Sequence, residues 1–132
     1  MKVAIMINTS WNIYNFRRGL IETLIKRGNE VVAIAPSDDY SSKLTEIGCS
    51  FRHLEMSASG MNPVTDFGLM VKMRKVLKEE RPDILLTYTI KPNIYGSLVS
   101  GNLDIPCICN VSGLGTVFLW KGTVKKIAVS LY

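Results

Sequence analysis

The sequence contains no run approaching the ~20 consecutive apolar residues that a bilayer span needs, and the stretch after Met1 and Lys2 turns polar by Asn8. Neither a membrane-spanning helix nor a secretory leader is therefore expected. Aromatic residues make up only 8% of the chain and histidine occurs once, as His53. Cysteine occurs three times, at Cys49, Cys107 and Cys109. An odd number, with the last two spaced to share one face of a strand, suits reduced, buried thiols in a cytosolic protein better than a disulfide framework. With one histidine and no paired cysteine motifs, no metal site is expected. Three glycine signatures are also missing. The first polar turn reads NTSWNIYN where a dinucleotide fold would carry GxGxxG, and neither GxxxxGK[ST] nor GxSxG occurs. Nicotinamide-dependent hydride transfer, P-loop nucleotide hydrolysis and Ser-His-Asp catalysis all lose their frames, and no cofactor is implied.

What remains is a chain of 132 residues, 47% hydrophobic and 20% charged. That is enough for one ordinary core, so a single domain over residues 1–132 is expected. Lysine and arginine outnumber aspartate and glutamate 16 to 11, for a net charge of +5. The positive residues cluster at Arg17 and Arg18, at Lys26 and Arg27, from Lys72 to Arg81, and from Lys121 to Lys126. Such clusters draw phosphates and anionic membrane surfaces. Nucleic acid is not an expected partner, because no aromatic-rich binding motif or zinc-finger spacing accompanies the charge. The middle cluster falls at surface positions of an amphipathic helix.

Apolar runs at Lys2–Ile7, Val31–Ala35, Ser50–Leu54, Asp83–Tyr88 and Pro106–Val111 read as short strands. Their continuous apolar character suits a sheet covered on both faces. Helical spacing separates them. Phe16, Leu20, Ile21, Leu24 and Ile25 precede a stop at Gly28; Tyr40–Ile47 ends at Gly48; Asn62 and Pro63 open a helix through Phe67, Met70, Met73 or Arg74 and Leu77, broken at Pro82. Asn93–Gly101 makes a shorter one with Ile94, Leu98 and Val99 inward, and Gly122–Tyr132 shows a further helical pattern. The alternation predicts an α/β, Rossmann-like open parallel sheet of about five strands, ordered 3-2-1-4-5, with helices on both faces. The final helical pattern stops without a cap or polar tail, which suggests the front part of a longer two-domain enzyme.

In such a sheet, ligands bind at the carboxyl ends of the strands near the point where strand order reverses. Three segments fall there: NTSWNIYNFRR, TYTIKPNIYGS and NVSGLGTVF. Their asparagines, serines, threonines and tyrosines offer the neutral donors and acceptors that a polyhydroxylated ligand such as a sugar requires. Asn8, Thr9, Ser10, Asn12, Asn15, Arg17, Lys91, Asn93, Tyr95, Ser112, Gly113 and Gly115 are the candidate substrate-binding residues. His53 reads as an ordinary strand-end residue.

The pairing of TIKPNIYGS with VSGLG, together with APSD after the second strand and the SGMNP loop, resembles the amino-terminal half of bacterial family 4 glycosyltransferases. The resemblance runs from about Lys2 to Gly122 and lies nearest to enzymes extending polyprenyl-diphosphate-linked or surface polysaccharides. It implies a GT-B architecture, in which this domain binds mainly the acceptor and a second domain binds the nucleotide-sugar donor. It also implies metal-independent, retaining transfer in the cytoplasm, peripheral to the inner face of the cytoplasmic membrane. Carried over by position, Lys91 and Asn93 line the acceptor cleft, Asn93 also capping its helix, and Gly113 and Gly115 allow close backbone approach. Two departures stand out: the glycine-rich turn after the first strand is replaced by Asn8–Asn12, and Asn110, Ser112 and Gly113 stand where some relatives carry a proton-handling histidine or aspartate. The catalytic residue is thus left open, and the donor domain's paired glutamates are expected beyond Tyr132. The alternative is a non-catalytic or split half that needs a separate donor-domain chain. Trp11, Tyr14 and Phe16 before Arg17 and Arg18, with Phe118, Leu119 and Trp120 before Lys121, are the expected contacts to an anionic membrane.

Overall fold

A computed structural model describes residues 1–57, 60 and 62–113. Five strands, β1 (Lys2–Met6), β2 (Glu30–Ala35), β3 (Ser50–His53), β4 (Ile84–Tyr88) and β5 (Cys107–Asn110), form one parallel sheet ordered β3-β2-β1-β4-β5. The expected order and fold class are therefore met. The point where strand order reverses falls between β1 and β4, whose register pairs Met6 with Thr87.

Helices cover both faces. On one side α1 (Ser10–Lys26) and α2 (Ser41–Glu46) pack on Val3, Ile5, Val31, Ala33 and Ala35 through Ile13, Ile21 and Leu44. On the other, α3 (Pro63–Glu80) and α4 (Ser97–Gly101) cover Ala4, Met6, Val32, Ile34 and Leu85 through Leu69, Met73, Leu77 and Val99. A π-helical turn, Pro92–Gly96, feeds α4. The helix boundaries follow local chemistry. Asn62 Oδ1 accepts from the amides of Val64 and Thr65, Pro63 takes the first helical position, and Arg81 ends α3 in the left-handed region at φ 47° before Pro82.

Several expectations are corrected. The helix α1 begins at Ser10, so NTSWNIYNFRR is helix over most of its length and not a loop. Phe16 is 59% exposed, and Ile13 and Ile21 supply the buried stripe in its place. In α3, Phe67 also points outward, while Asp66, Leu69, Met73, Val76 and Leu77 form the inner face. Hydrophobicity alone selects the rings for the core; the packing phase selects the aliphatic residues. Leu98 is exposed as well. Of the cysteines only Cys49 is buried, and burial pushes its thiol up to about 11. The thiols of Cys107 and Cys109 do share one face of β5, 3.9 Å apart. The helical pattern at Gly122–Tyr132, Gly115 and the Phe118–Lys121 cluster lie outside the described residues.

Candidate functional site

At the carboxyl edge, the last residue of β4, Tyr88, is buried and turns its ring toward α1. The guanidinium of Arg17 lies over that ring, 4.2 Å from its centre, an arrangement that holds a delocalised cation in place. Nη1 of Arg17 donates to the carbonyl of Phe16 at 2.9 Å. Among the described residues its buried Nε has no hydrogen-bond partner and no carboxylate pairs with the guanidinium. A shallow cleft of about 400 Å³ opens there, lined by Arg17, Leu20, Tyr88, Asn110, Val111 and Ser112.

The segment after β4 is bent sharply to make this edge. Thr89 sits at φ 68°, a left-handed conformation that a β-branched residue rarely adopts. The amide of Asn93 then bonds the Thr89 carbonyl at 3.0 Å, closing an α-type turn that leads into the π-turn. The expected cap role of Asn93 is corrected: the residue lies inside the turn, and its Nδ2 donates 3.1 Å to the carbonyl of Asn110. It thereby ties the turn to the end of β5. Asn110 in turn donates to the carbonyls of Thr87 and Ile108, each at 3.3 Å.

The first turn is largely occupied by structural duties. Thr9 caps α1 by accepting from the amide of Asn12 at 3.1 Å. Ser10 is fully buried, donates to the Pro36 carbonyl at 2.7 Å and lies 3.1 Å from Ser41 Oγ. Asn15 donates to the carbonyl of Trp11 at 2.9 Å. Asp38 accepts from the amide of Trp11 at 3.0 Å, so a carboxylate of the chain already sits at the positive end of α1. Asn8 differs: its Oδ1 is buried and has no partner among the described residues.

Lys91 and Tyr95 belong to a second cluster. Nζ of Lys91 donates to Oδ1 of Asp66 at 2.9 Å, and the Tyr95 hydroxyl donates to Oδ2 at 2.9 Å. The amide of Asn62 adds a third donor at 3.2 Å. Lys91 is thus largely buried and neutralises a buried carboxylate. Burial pushes the Asp66 carboxyl upward, but the bonds from Lys91 and Tyr95 outweigh it and hold the group below its ordinary value. Burial and the neighbouring Asp66 charge push Tyr95 up to about 12.

The structure therefore brings Arg17 and Ser112 to one cleft, joins Asn93 to it through Asn110, and gathers Lys91 and Tyr95 elsewhere around Asp66. Gly113 follows in the exposed segment after β5, and among the described residues nothing lies within 4 Å of where a side chain would stand. Tyr88 and Asp66 escape sequence reading because each looks like an ordinary strand or helix residue. Their one signal is a polar group within an otherwise apolar pattern.

The sequence pattern that defines the glycosyl transferase 4-like domain matches residues 15–131. The chain belongs to that family. Over its whole length, this glycosyl transferase 4-like chain is 30% identical to the N,N'-diacetylbacillosaminyl-diphospho-undecaprenol alpha-1,3-N-acetylgalactosaminyltransferase of Campylobacter jejuni and covers 36% of that protein. Its fold is that of MurG from Acinetobacter baumannii, with a TM-score of 0.66 at 13% identity over 99% of this chain and 39% of that one. The UDP-GlcNAc 2-epimerase of Methanocaldococcus jannaschii superposes with a TM-score of 0.64 at 20% identity, over 99% of this chain and 36% of that one. The chain thus spans little more than a third of the length of these relatives. At such low identities the two structures speak for the fold alone, which transferases and epimerases share.

Proposed function

We propose that this chain is the acceptor-binding half of a glycosyltransferase that moves a sugar from a nucleotide-sugar donor to a lipid-linked or polysaccharide acceptor. The setting is surface polysaccharide biosynthesis at the inner face of the cytoplasmic membrane, and the donor is held mainly by another domain. The observation that carries this reading is Arg17, whose guanidinium stacks on Tyr88 at the carboxyl edge of the sheet and meets no carboxylate among the described residues. A diphosphate supplies the oxygens such a fork is built to receive. The Campylobacter relative is itself named for a diphospho-undecaprenol-linked acceptor. Asn110 and Ser112, which line the same cleft, are the candidates for acceptor hydroxyls, and Gly113 next to them for close backbone approach.

The test is a nuclear magnetic resonance titration of the chain with a short-chain polyprenyl-diphosphate-linked N-acetylhexosamine. Saturable shifts are expected at Arg17, Tyr88, Asn110 and Ser112, and Arg17→Ala is expected to weaken binding about 10- to 100-fold, the worth of hydrogen bonds to a charged group. Unchanged affinity in Arg17→Ala, or shifts confined to other faces, would overturn the assignment.

A further inference from the structure

The outer face of α3 is unusual for a helix packed on a sheet. Val64, Phe67 and Val71 fall on one outward stripe of its first half and are 81%, 68% and 54% exposed. That spacing of three and four residues places them side by side. Over the second half the same stripe turns basic, with Arg74, Lys75 and Lys78 exposed and Lys72 beside them. A shallow depression of about 410 Å³ lies among Val71, Arg74, Lys75, Lys78 and Glu79.

The acids of α3 do not neutralise this charge. Asp66 is spent on Lys91, Glu79 pairs with Arg52, and Glu80 pairs with Arg52 at 2.9 Å and with Lys2 at 2.7 Å. Among the described residues, Lys72, Arg74, Lys75 and Lys78 have no ion-pair partner. Three exposed apolar side chains beside four uncompensated cations match a membrane interface, where the first insert and the second meet lipid phosphates.

We propose that the outer stripe of α3 is the surface by which this chain lies on an anionic bilayer. The α1 cluster expected from sequence is the weaker candidate. Trp11 and Phe16 are exposed there and pack edge to face at 5.5 Å, but Arg17 is stacked on Tyr88 and Arg18 is paired with Glu22 at 2.7 Å. The first turn of α3 holds Asp66, which binds Lys91 and Tyr95 from the segment after β4. The first turn of α3 therefore lies beside the segment that follows β4. A helix of 18 residues is about 27 Å long, enough to keep the insertion and headgroup zones apart along one surface.

The inference rests on the membrane placement proposed above, and one experiment separates the two. The chain is sedimented with phosphatidylcholine vesicles, with and without phosphatidylglycerol, at low and high salt. Binding is expected only to the anionic vesicles and is expected to fall with salt. Lys75→Gln with Lys78→Gln should lower partitioning about 30-fold, roughly fivefold per charge, and Phe67→Ser about tenfold. All three positions are exposed, so the fold is retained. Trp11→Ser with Phe16→Ser should bind like the wild type. No binding to anionic vesicles at low salt would remove the membrane placement and the α3 surface together. Binding that survives the α3 changes and is lost with the α1 changes would keep the placement and remove α3.

Discussion

Gly96 shows how one residue holds the candidate site together. A Cβ added there would stand 3.0 Å from Cγ2 of Thr87 and 3.7 Å from both Leu85 Cδ2 and Met6 Sδ. Thr87 is fully buried and β-branched, so it has little freedom to yield. The π-turn can press this closely on β1 and β4 because position 96 lacks a side chain. Gly96→Ala is expected to cost about 1–3 kcal/mol through overpacking, whereas Gly19→Ala in α1, where nothing lies within 4 Å, should gain up to about 1 kcal/mol of helix propensity. Urea unfolding of the two variants checks both signs, and equal midpoints would contradict the close approach. The motif TIKPNIYGS draws attention in the sequence, but the separate duties within it are invisible there. Asn93 reads as a helix cap and turns out to be a cross-link to β5, because a π-turn leaves no sequence signature that separates it from a helix start.

At the scale of elements, the ends of α3 are legible and its face is not. Asn62-Pro63 and Pro82 are local signals, whereas the direction of Phe67 is decided by which residues meet the sheet. The same helix carries the Asp66 cluster, whose effect on stability depends on pH in a definite direction. Tyr95 ordinarily ionises near 10.0 and is pushed up to about 12 by burial and by Asp66. Its stabilising contribution is complete below the unfolded value and is lost as pH rises through the folded one. Asp66, held low, contributes in the opposite sense: its share is present above the ordinary carboxylate range and disappears in acid. Tyr95→Phe should therefore flatten the loss of stability between about pH 10 and 12. The loss that begins earlier, as Cys49 passes from its ordinary 9.0 to about 11, should remain. Chemical denaturation repeated across that range measures the slope; an unchanged slope in Tyr95→Phe would mean that the hydroxyl bond to Asp66 does not persist in solution.

For the whole molecule, the sheet order is legible because right-handed crossovers leave few ways to arrange strand and helix in this alternation. The carboxyl edge follows from that order, and so does the general location of a ligand. The particular pairings at that edge do not follow: Arg17 meets Tyr88 across 71 positions of sequence only because α1 folds back along the sheet. The resulting cleft is a shallow surface, and among the described residues no carboxylate lines it. Glycosyl transfer needs two substrates held in register, and orientation of this kind supplies about 7–11 kcal/mol of a barrier in favourable cases. An open wall that holds one partner forgoes most of that. The 132-residue chain is accordingly expected to bind a polyprenyl-diphosphate-linked acceptor through Arg17 yet release no nucleotide from a panel of nucleotide sugars. Nucleotide release is followed with and without acceptor, against a protein-free control. Turnover above that control would place a donor site within these 132 residues and end the division of labour proposed for them.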